Sequence, residues 1–477
     1  MIRYFFTVCY MAALTACSVG PEYVKPQAMP ELPASFKNIS GWKVAAPADN
    51  RLQEKWWERY SDSQLNALEE RLAVSNQNIR QAEAQYRQAR ALVLSAKAGY
   101  YPNLGVGASA MRAQKSINVK SGSNTGSTAP AWDFQIPLDL TWEIDLWGRI
   151  RHTVEASAAT AAASADDLAA ARLSMQTTLA SSYFQVRALD AQKALYDQTV
   201  ADYRKYLELT RNRYQSGVAA RSDLLQAETQ LKSTEAQAID LDIQRAQLEH
   251  AIAVLVGTTA SQFSLARNPS LEIPPQIPLV IPSEMLEKRP DIAAAERRMA
   301  AANAQIGVAK AAWFPTVKLS ATAGLESSSI SNWLAWPSRF WAFGPAVSQT
   351  IFDGGVRQSQ SEQALAAYDA TVATYRQTVL TAFQDVEDNL AALRILDNEA
   401  RVQDEAVKAA QQTTAVITNQ YRAGIVGYLN VINVQTTELA NRRSALSIAG
   451  RRLVASVQLI KALGGGWQQE PGRDYER

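Results

Sequence analysis

Residues 134–146 alternate without a break. Phe134, Ile136, Leu138, Leu140, Trp142, Ile144 and Leu146 are apolar, and Gln135, Pro137, Asp139, Thr141, Glu143 and Asp145 fill the places between them. A period of two predicts a strand with one apolar and one wet face. Two settings satisfy it: a soluble sheet lying on a core, or a strand with lipid on one side and a watery lumen on the other, for which about ten tilted residues suffice. Weaker signals of the same kind run over 103–111 (Leu104, Val106, Ala108, Ala110), 316–325 (Val317, Leu319, Ala321, Ala323, Leu325) and 341–351 (Trp341, Phe343, Val347, Ile351). Polar, Gly/Ser-rich loops at 116–129 and 326–332 join these strands in pairs.

Around the strands the period lengthens. A first helix is predicted over 62–99 from Leu65, Leu68, Leu72, Ile79, Ala82 and Tyr86. Leu365, Val372, Val379, Val386 and Leu393 recur every seventh residue, with Tyr368, Tyr375 and Ala382 three residues later, and Ile432, Leu439, Leu446, Leu453 and Ile460 do the same. Sustained heptads predict coiled-coil packing with left-handed supercoiling. The expected helices are 151–214, 222–257, 355–421 and 428–463; the 64 residues of the first would make a rod of about 95 Å. A compact domain has no need of that length, whereas a structure bridging a wide compartment does.

The whole arrangement is said twice. Residues 96–102 (AKAGYYP) return as 309–315 (AKAAWFP), 147–151 (WGRIR) loosely as 353–357 (DGGVR), 187–190 (RALD) as 394–397 (RILD), and 214–218 (YQSGV) as 421–425 (YRAGI). The last two pairs share an offset, 421 − 214 = 207. The halves, 62–268 and 291–464, are joined by a Pro-rich linker at 269–290 and followed by a tail at 465–477. The fold class is thus mainly α with four strands per chain. Four strands cannot close a barrel, and open edges are not tolerated against lipid. If the strands face lipid, two chains would give eight strands filled by side chains and three would give twelve with room for a lumen. Asp139, Glu143 and Asp145 would then line that lumen, and Pro137, which removes a ladder donor, should sit at an edge or bulge.

Charge and composition remove other classes. A net charge of +2 with 20% charged residues argues against nucleic acid as a partner. His152 and His250 stand alone, both expected on solvated helix faces, and with no metal or phosphate motif beside them an enzyme is not expected and no cofactor is implied. Residues 1–16 read as a signal peptide: Arg3, a short apolar run, then Leu-Thr-Ala before Cys17. This is similar to a lipoprotein lipobox, which makes Cys17 an acylated N-terminus, and Ser18 after it implies the outer membrane. Residues 17–61 then form an extended, lipid-anchored segment ending near Trp56 and Trp57.

Lipobox, Trp pair, paired strands, duplicated halves and the two Tyr-x-x-Gly turns together resemble the outer membrane factor family, the TolC-like exit ducts of efflux pumps, in its lipoprotein branch. The resemblance implies a homotrimer with a twelve-stranded barrel and a periplasmic helical tunnel. Its implied partners are outer membrane lipid, a periplasmic adaptor protein and an inner-membrane efflux transporter of RND type. It also implies a gate at the two helix turns, 214–224 (starting at Tyr214) and 421–431. There Asp223 and Tyr421 match an acid and a tyrosine that hold the tunnel shut by hydrogen bonding across neighbouring helices. The family's latch arginine is Val426 here, with Arg221 and Arg422 nearby, and two ring-forming aspartates are replaced by Asn430 and Asn433. Gly217 and Gly424 read equally as plain helix caps. A porin-like diffusion channel would share the strands but not the heptads, and a periplasmic coiled-coil lipoprotein would share the helices but not the strands.

Overall fold

The computed structural model describes residues 19–28, 36–37, 55–114, 129–275, 277 and 289–465; the expected acylation site, Cys17, lies outside them. In chain order these residues form α1 (Ser63–Ser75), α2 (Gln77–Ala98), β1 (Asn103–Val106), β2 (Ser109–Ala113), β3 (Ala131–Ile144), α3 (Arg149–Gln215), α4 (Arg221–Leu255), α5 (Pro290–Ala311), β4 (Thr316–Ser327), β5 (Arg339–Ser348), α6 (Val356–Arg422) and α7 (Tyr428–Ala462). The duplication is exact in length at its long helices: α3 and α6 have 67 residues each, and α4 and α7 have 35. Their starts differ by 356 − 149 = 207, the offset already present in the turn motifs.

Two compact units divide the chain. The first comprises residues 1–26, 86–163 and 295–375. Its sheet is antiparallel, with β1 and β2 in line along one side of β3, then β4, then β5. Five segments therefore occupy four strand positions. The break between β1 and β2 falls opposite Pro137: Gly107 N–H donates to Pro137 C=O (3.0 Å), but proline has no N–H to return. Pro137 thus sits within a central strand, at a gap in one ladder, and not at an edge. Gly324, across from it on β4, has no room for a Cβ, which would lie 2.2 Å from Ile136 C=O, and the Phe340 ring covers the place.

Partners directly across a sheet share a face. Leu138 meets Val106 and Ala323, Leu140 meets Leu104 and Ala321, and Trp142 meets Leu319, so the alternation read from β3 extends over the sheet. Leu104, Val106, Leu138, Phe343, Val347 and Trp341 (79%) are exposed on that face. A soluble sheet lying on a core of its own chain would bury them, and here they lie open. Strand ends differ from expectation at β3, which stops at Ile144 because both carboxylate oxygens of Asp145 are taken by the first turn of α3, from Ile150 N–H (3.0 Å) and Arg151 N–H (2.8 Å). His152 is another correction. It is 7% exposed, its ring bonded to Glu155 (2.8 Å) and to Val19 C=O (3.1 Å), because the segment at 19–25 lies across α3 and α5 and covers it. His250 is exposed as expected.

The second unit comprises residues 27–85, 164–294 and 376–477. Trp56, Trp57 and Tyr60 form a buried turn against Phe184 and Ser456. Asp62 caps α1 through Gln64 and Leu65 N–H and accepts the Tyr183 hydroxyl at 2.5 Å. The single helix expected over 62–99 is two, because Asn76 leaves the helical conformation to accept Ile79 N–H (3.0 Å) and donate to Leu255 C=O (2.8 Å). The heptad positions Val379, Ala382, Val386, Leu439, Leu453 and Ile460 are buried. Arg245 bonds Asp190 at 2.7 Å, and the pair 207 residues on, Arg452 and Asp397, meets at 2.5 Å.

Candidate channel gate and wall

The two turns of the second unit are built alike. Gly217 closes α3 at φ +75° and Gly424 closes α6 at +76°, a region open to glycine without strain. Val218 N–H then donates to Arg213 C=O (2.8 Å) and Ile425 N–H to Gln420 C=O (2.9 Å), satisfying carbonyls that a helix end leaves free.

Beside these turns lies an aromatic cluster. Tyr421, 3% exposed, packs with Tyr428, Val431 and Ala227, its ring 5.4 Å from that of Tyr428. Burial, and after it the neighbouring tyrosines and the Asp223 carboxylate, push the Tyr428 hydroxyl up from its ordinary pKa. The Tyr421 hydroxyl meets Thr210 Oγ1 at 3.4 Å. Arg213 of α3 does more: its guanidinium lies 4.7 Å from the Tyr421 ring centre, and Nη1 donates to Tyr421 C=O at 2.9 Å. A cation–π contact and a charge-assisted hydrogen bond thus tie the end of α6 to α3. Since α3 continues into α4 and α6 into α7, the clasp joins two helical hairpins.

Asp223 is half-buried in the first turn of α4, and among the described residues no hydrogen bond joins its carboxylate to Tyr421. Val426 lies against the aromatic cluster, while Arg221 and Arg422 are exposed. Asn430 and Asn433 are exposed one turn apart on α7, and Tyr214 is 40% exposed. Arg213 is the residue that sequence reasoning missed. The signal was available in the comparison of the halves, since the place 207 residues on holds Gln420.

On the sheet's polar face the three acids have different occupations. Asp139 accepts the Thr322 hydroxyl at 2.7 Å. Glu143 is held in a fork by Arg149, at 2.8 and 3.0 Å, which neutralises it locally. Asp145 lies past the strand and caps α3. Asp139 is the one of the three that lies within the strand and has no ion pair among the described residues.

Comparison with known proteins agrees with this architecture. The family described as outer membrane efflux protein matches residues 68–258 and 281–465. The chain is 30% identical to the cation efflux system protein CusC of Escherichia coli O6:H1 over 97% of its own length and 98% of that protein's. It is 29% identical to the toluene efflux pump outer membrane protein TtgC of Pseudomonas putida, over 96% and 95%. Among solved structures it is similar to the outer-membrane channel OprN, with a TM-score of 0.87 and 28% identity over 95% of this chain and all of that one. The chain belongs to the outer membrane efflux protein family, and is an outer membrane exit channel of an efflux pump.

Proposed function

We propose that copies of this chain assemble as a homotrimer around one lumen, gated at the turns of the second unit. The observation that carries the assembly is the exposed apolar face of a sheet whose outer strands, β1/β2 and β5, each pair on one side only. In lipid those edge groups need partners, and another copy supplies them; three copies give twelve strand positions and a lumen. The clasp between Arg213 and Tyr421 holds the two hairpins together, and opening is a shift of one hairpin against the other. Cys17 is the acylated anchor. The conduit performs no bond chemistry and takes its energy from partners, a periplasmic adaptor and an inner-membrane transporter of RND type. Relatives named for cation and for toluene efflux support a duct that passes what its pump selects.

Current through single molecules of the purified mature protein in a planar bilayer tests the gate. A small, mostly closed conductance that grows when the clasp is removed is expected. A large and steady conductance in the unaltered protein would make it an ungated pore, and failure to insert would remove the lipid-facing sheet. The intact mass of the mature protein tests the anchor: an N-terminal Cys17 carrying acyl chains is expected, and an unmodified terminus refutes it.

A further inference from the structure

The sheet's apolar face carries only two charges among the described strand residues, and both are arginines. Arg112 of β2 stands opposite Trp132, and Arg339 of β5 opposite Leu325, which itself faces Ile136. Those partners all belong to the apolar set. The acids of the strands, Asp133, Asp139, Glu143 and Glu326, stand at the alternate positions on the polar face. Both arginines lie toward the end of the sheet where the loops are, away from the starts of α3 and β1. With the outer membrane placement above, on which this inference rests, that end is the extracellular rim.

An arginine at mid-membrane on a lipid-facing strand costs about 2–4 kcal/mol, but about 0–1 near the interface. Its position at the rim removes the penalty; it does not explain why two are there. The packing does. The Arg112 guanidinium lies 5.8 Å from the Trp132 ring and that of Arg339 lies 4.3 Å from the Trp336 ring. Both arginines are exposed, and among the described residues neither forms an ion pair. Close contact with the indole covers one flat side of the Arg339 guanidinium, the wider Arg112 contact is a cation–π approach, and both leave the planar N–H fork to meet an anion at the membrane surface. Trp336 and Leu334, both exposed in the loop before β5, supply an apolar surface beside it.

We propose that Arg112 and Arg339 are a docking surface for the phosphorylated headgroup of the outer-leaflet glycolipid, each arginine gripping a phosphate while its tryptophan lies at the acyl boundary. Phosphate matches the fork bidentately, and among the described strand residues the face offers no carboxylate to compete. The two arginines are three strands and four residue levels apart, about 14 Å by about 13 Å at ordinary strand spacings. They therefore hold separate phosphates.

The test uses the full-length purified channel in detergent and measures bound lipid by native mass spectrometry. The probes are bisphosphorylated lipid A, the same lipid with its phosphates removed, phosphatidylglycerol and inorganic phosphate. Surface arginines contribute about fivefold each to binding anionic lipid, so Arg112→Gln with Arg339→Gln should weaken lipid A binding about 25-fold. Dephosphorylated lipid A should bind both proteins as weakly as the variant binds lipid A, and millimolar inorganic phosphate should not compete. Equal lipid A binding by variant and wild type overturns the proposal, and so does phosphatidylglycerol binding as tightly as lipid A. Arg112→Lys with Arg339→Lys, which keeps charge and loses the fork, guards against a misassembled Gln pair; it should bind several-fold more weakly than wild type, and wild-type affinity in it overturns the fork. Flotation with vesicles separates the two levels of failure. If neither protein floats, outer membrane insertion itself is wrong; if both float and bind lipid A equally, only this docking surface is.

Discussion

Removing the Arg213 side chain beyond its methylenes, as in Arg213→Met, should open the channel. The carbonyl of Tyr421 also accepts Gly424 N–H at 3.0 Å, so the substitution strands no buried acceptor. What is lost is one charge-assisted hydrogen bond, about 1.5 kcal/mol at this half-buried site, and one cation–π contact, about 0.5 kcal/mol. Together these make about 2 kcal/mol, which shifts the ratio of closed to open channels about thirtyfold. Tyr421→Phe is the contrasting variant. It keeps the ring under Arg213 and the backbone carbonyl, losing only a hydroxyl contact whose 3.4 Å length marks it as weak. Its open probability should rise less than twofold. Single-channel recording in a planar bilayer reads both. An unchanged open probability in Arg213→Met, together with a large rise in Tyr421→Phe or Asp223→Asn, would refute the clasp and restore a latch made by the hydroxyl.

On the sheet, Asp139→Asn should lower cation preference, read as reversal potential across a salt gradient. Asp145→Ala should leave selectivity alone and destabilise the start of α3 by about 1 kcal/mol, since its two bonds are caps. Gly217→Ala meets nothing within 4 Å and carries only the left-handed backbone cost of about 1–2 kcal/mol, whereas the Cβ of Gly257→Ala falls 2.4 Å from Ser75 C=O at φ +69°. Thermal unfolding should rank Gly257→Ala clearly below Gly217→Ala. Glu69 is fully buried with neither oxygen bonded, and burial lifts its carboxyl pKa well above the usual range. The native protein therefore keeps a proton that the unfolded chain releases above about pH 4.3. Stability from this residue falls as pH rises through the native pKa and is flat above it. Melting curves of Glu69→Gln and wild type should coincide at pH 4 and favour the variant at pH 8; parallel profiles would refute the assignment.

Much of this was legible because it is periodic. The β3 face needed only the alternation from Phe134 to Ile144, and the helical seam only the sevenfold recurrence through Val379 and Val386, since a shift of one residue in either would turn the apolar set into water. The duplication gave the turns. What escaped is local competition for backbone groups. Nothing in the alternation says that Asp145 would leave the strand to cap α3, or that Asn76 would interrupt a helix with good apolar spacing. His152 escaped for a different reason: it is covered by a segment more than a hundred residues earlier in the chain, which no neighbouring pattern records. Arg213 sits next to the Tyr214 that the motif selects, and only its distant partner reveals its part.

The duplication matters most where it fails. Tyr214 and Tyr421 occupy equivalent places before equivalent glycines, yet one is 40% exposed and the other 3%. Two differences between the repeats lie beside them: Tyr428, which packs on Tyr421, stands where the first repeat has Arg221, and Arg213 stands where the second has Gln420. Arg213 reaches across to Tyr421, while Gln420, its counterpart, has neither the charge to lie on an aromatic face nor the five donors of a guanidinium. A symmetric pair of clasps would hold the hairpins from both sides and resist any sliding between them. A single clasp ties the two hairpins at Tyr421 and leaves the Tyr214 ring without an equivalent cation. The cation at position 213 selects which turn's tyrosine is clasped, so exchanging the residues, with Arg213→Gln and Gln420→Arg together, should move the closing contact to Tyr214. If the doubly exchanged channel stays shut with Tyr421 still protected from nitration and Tyr214 still reactive, position 213 does not decide which hairpin is held.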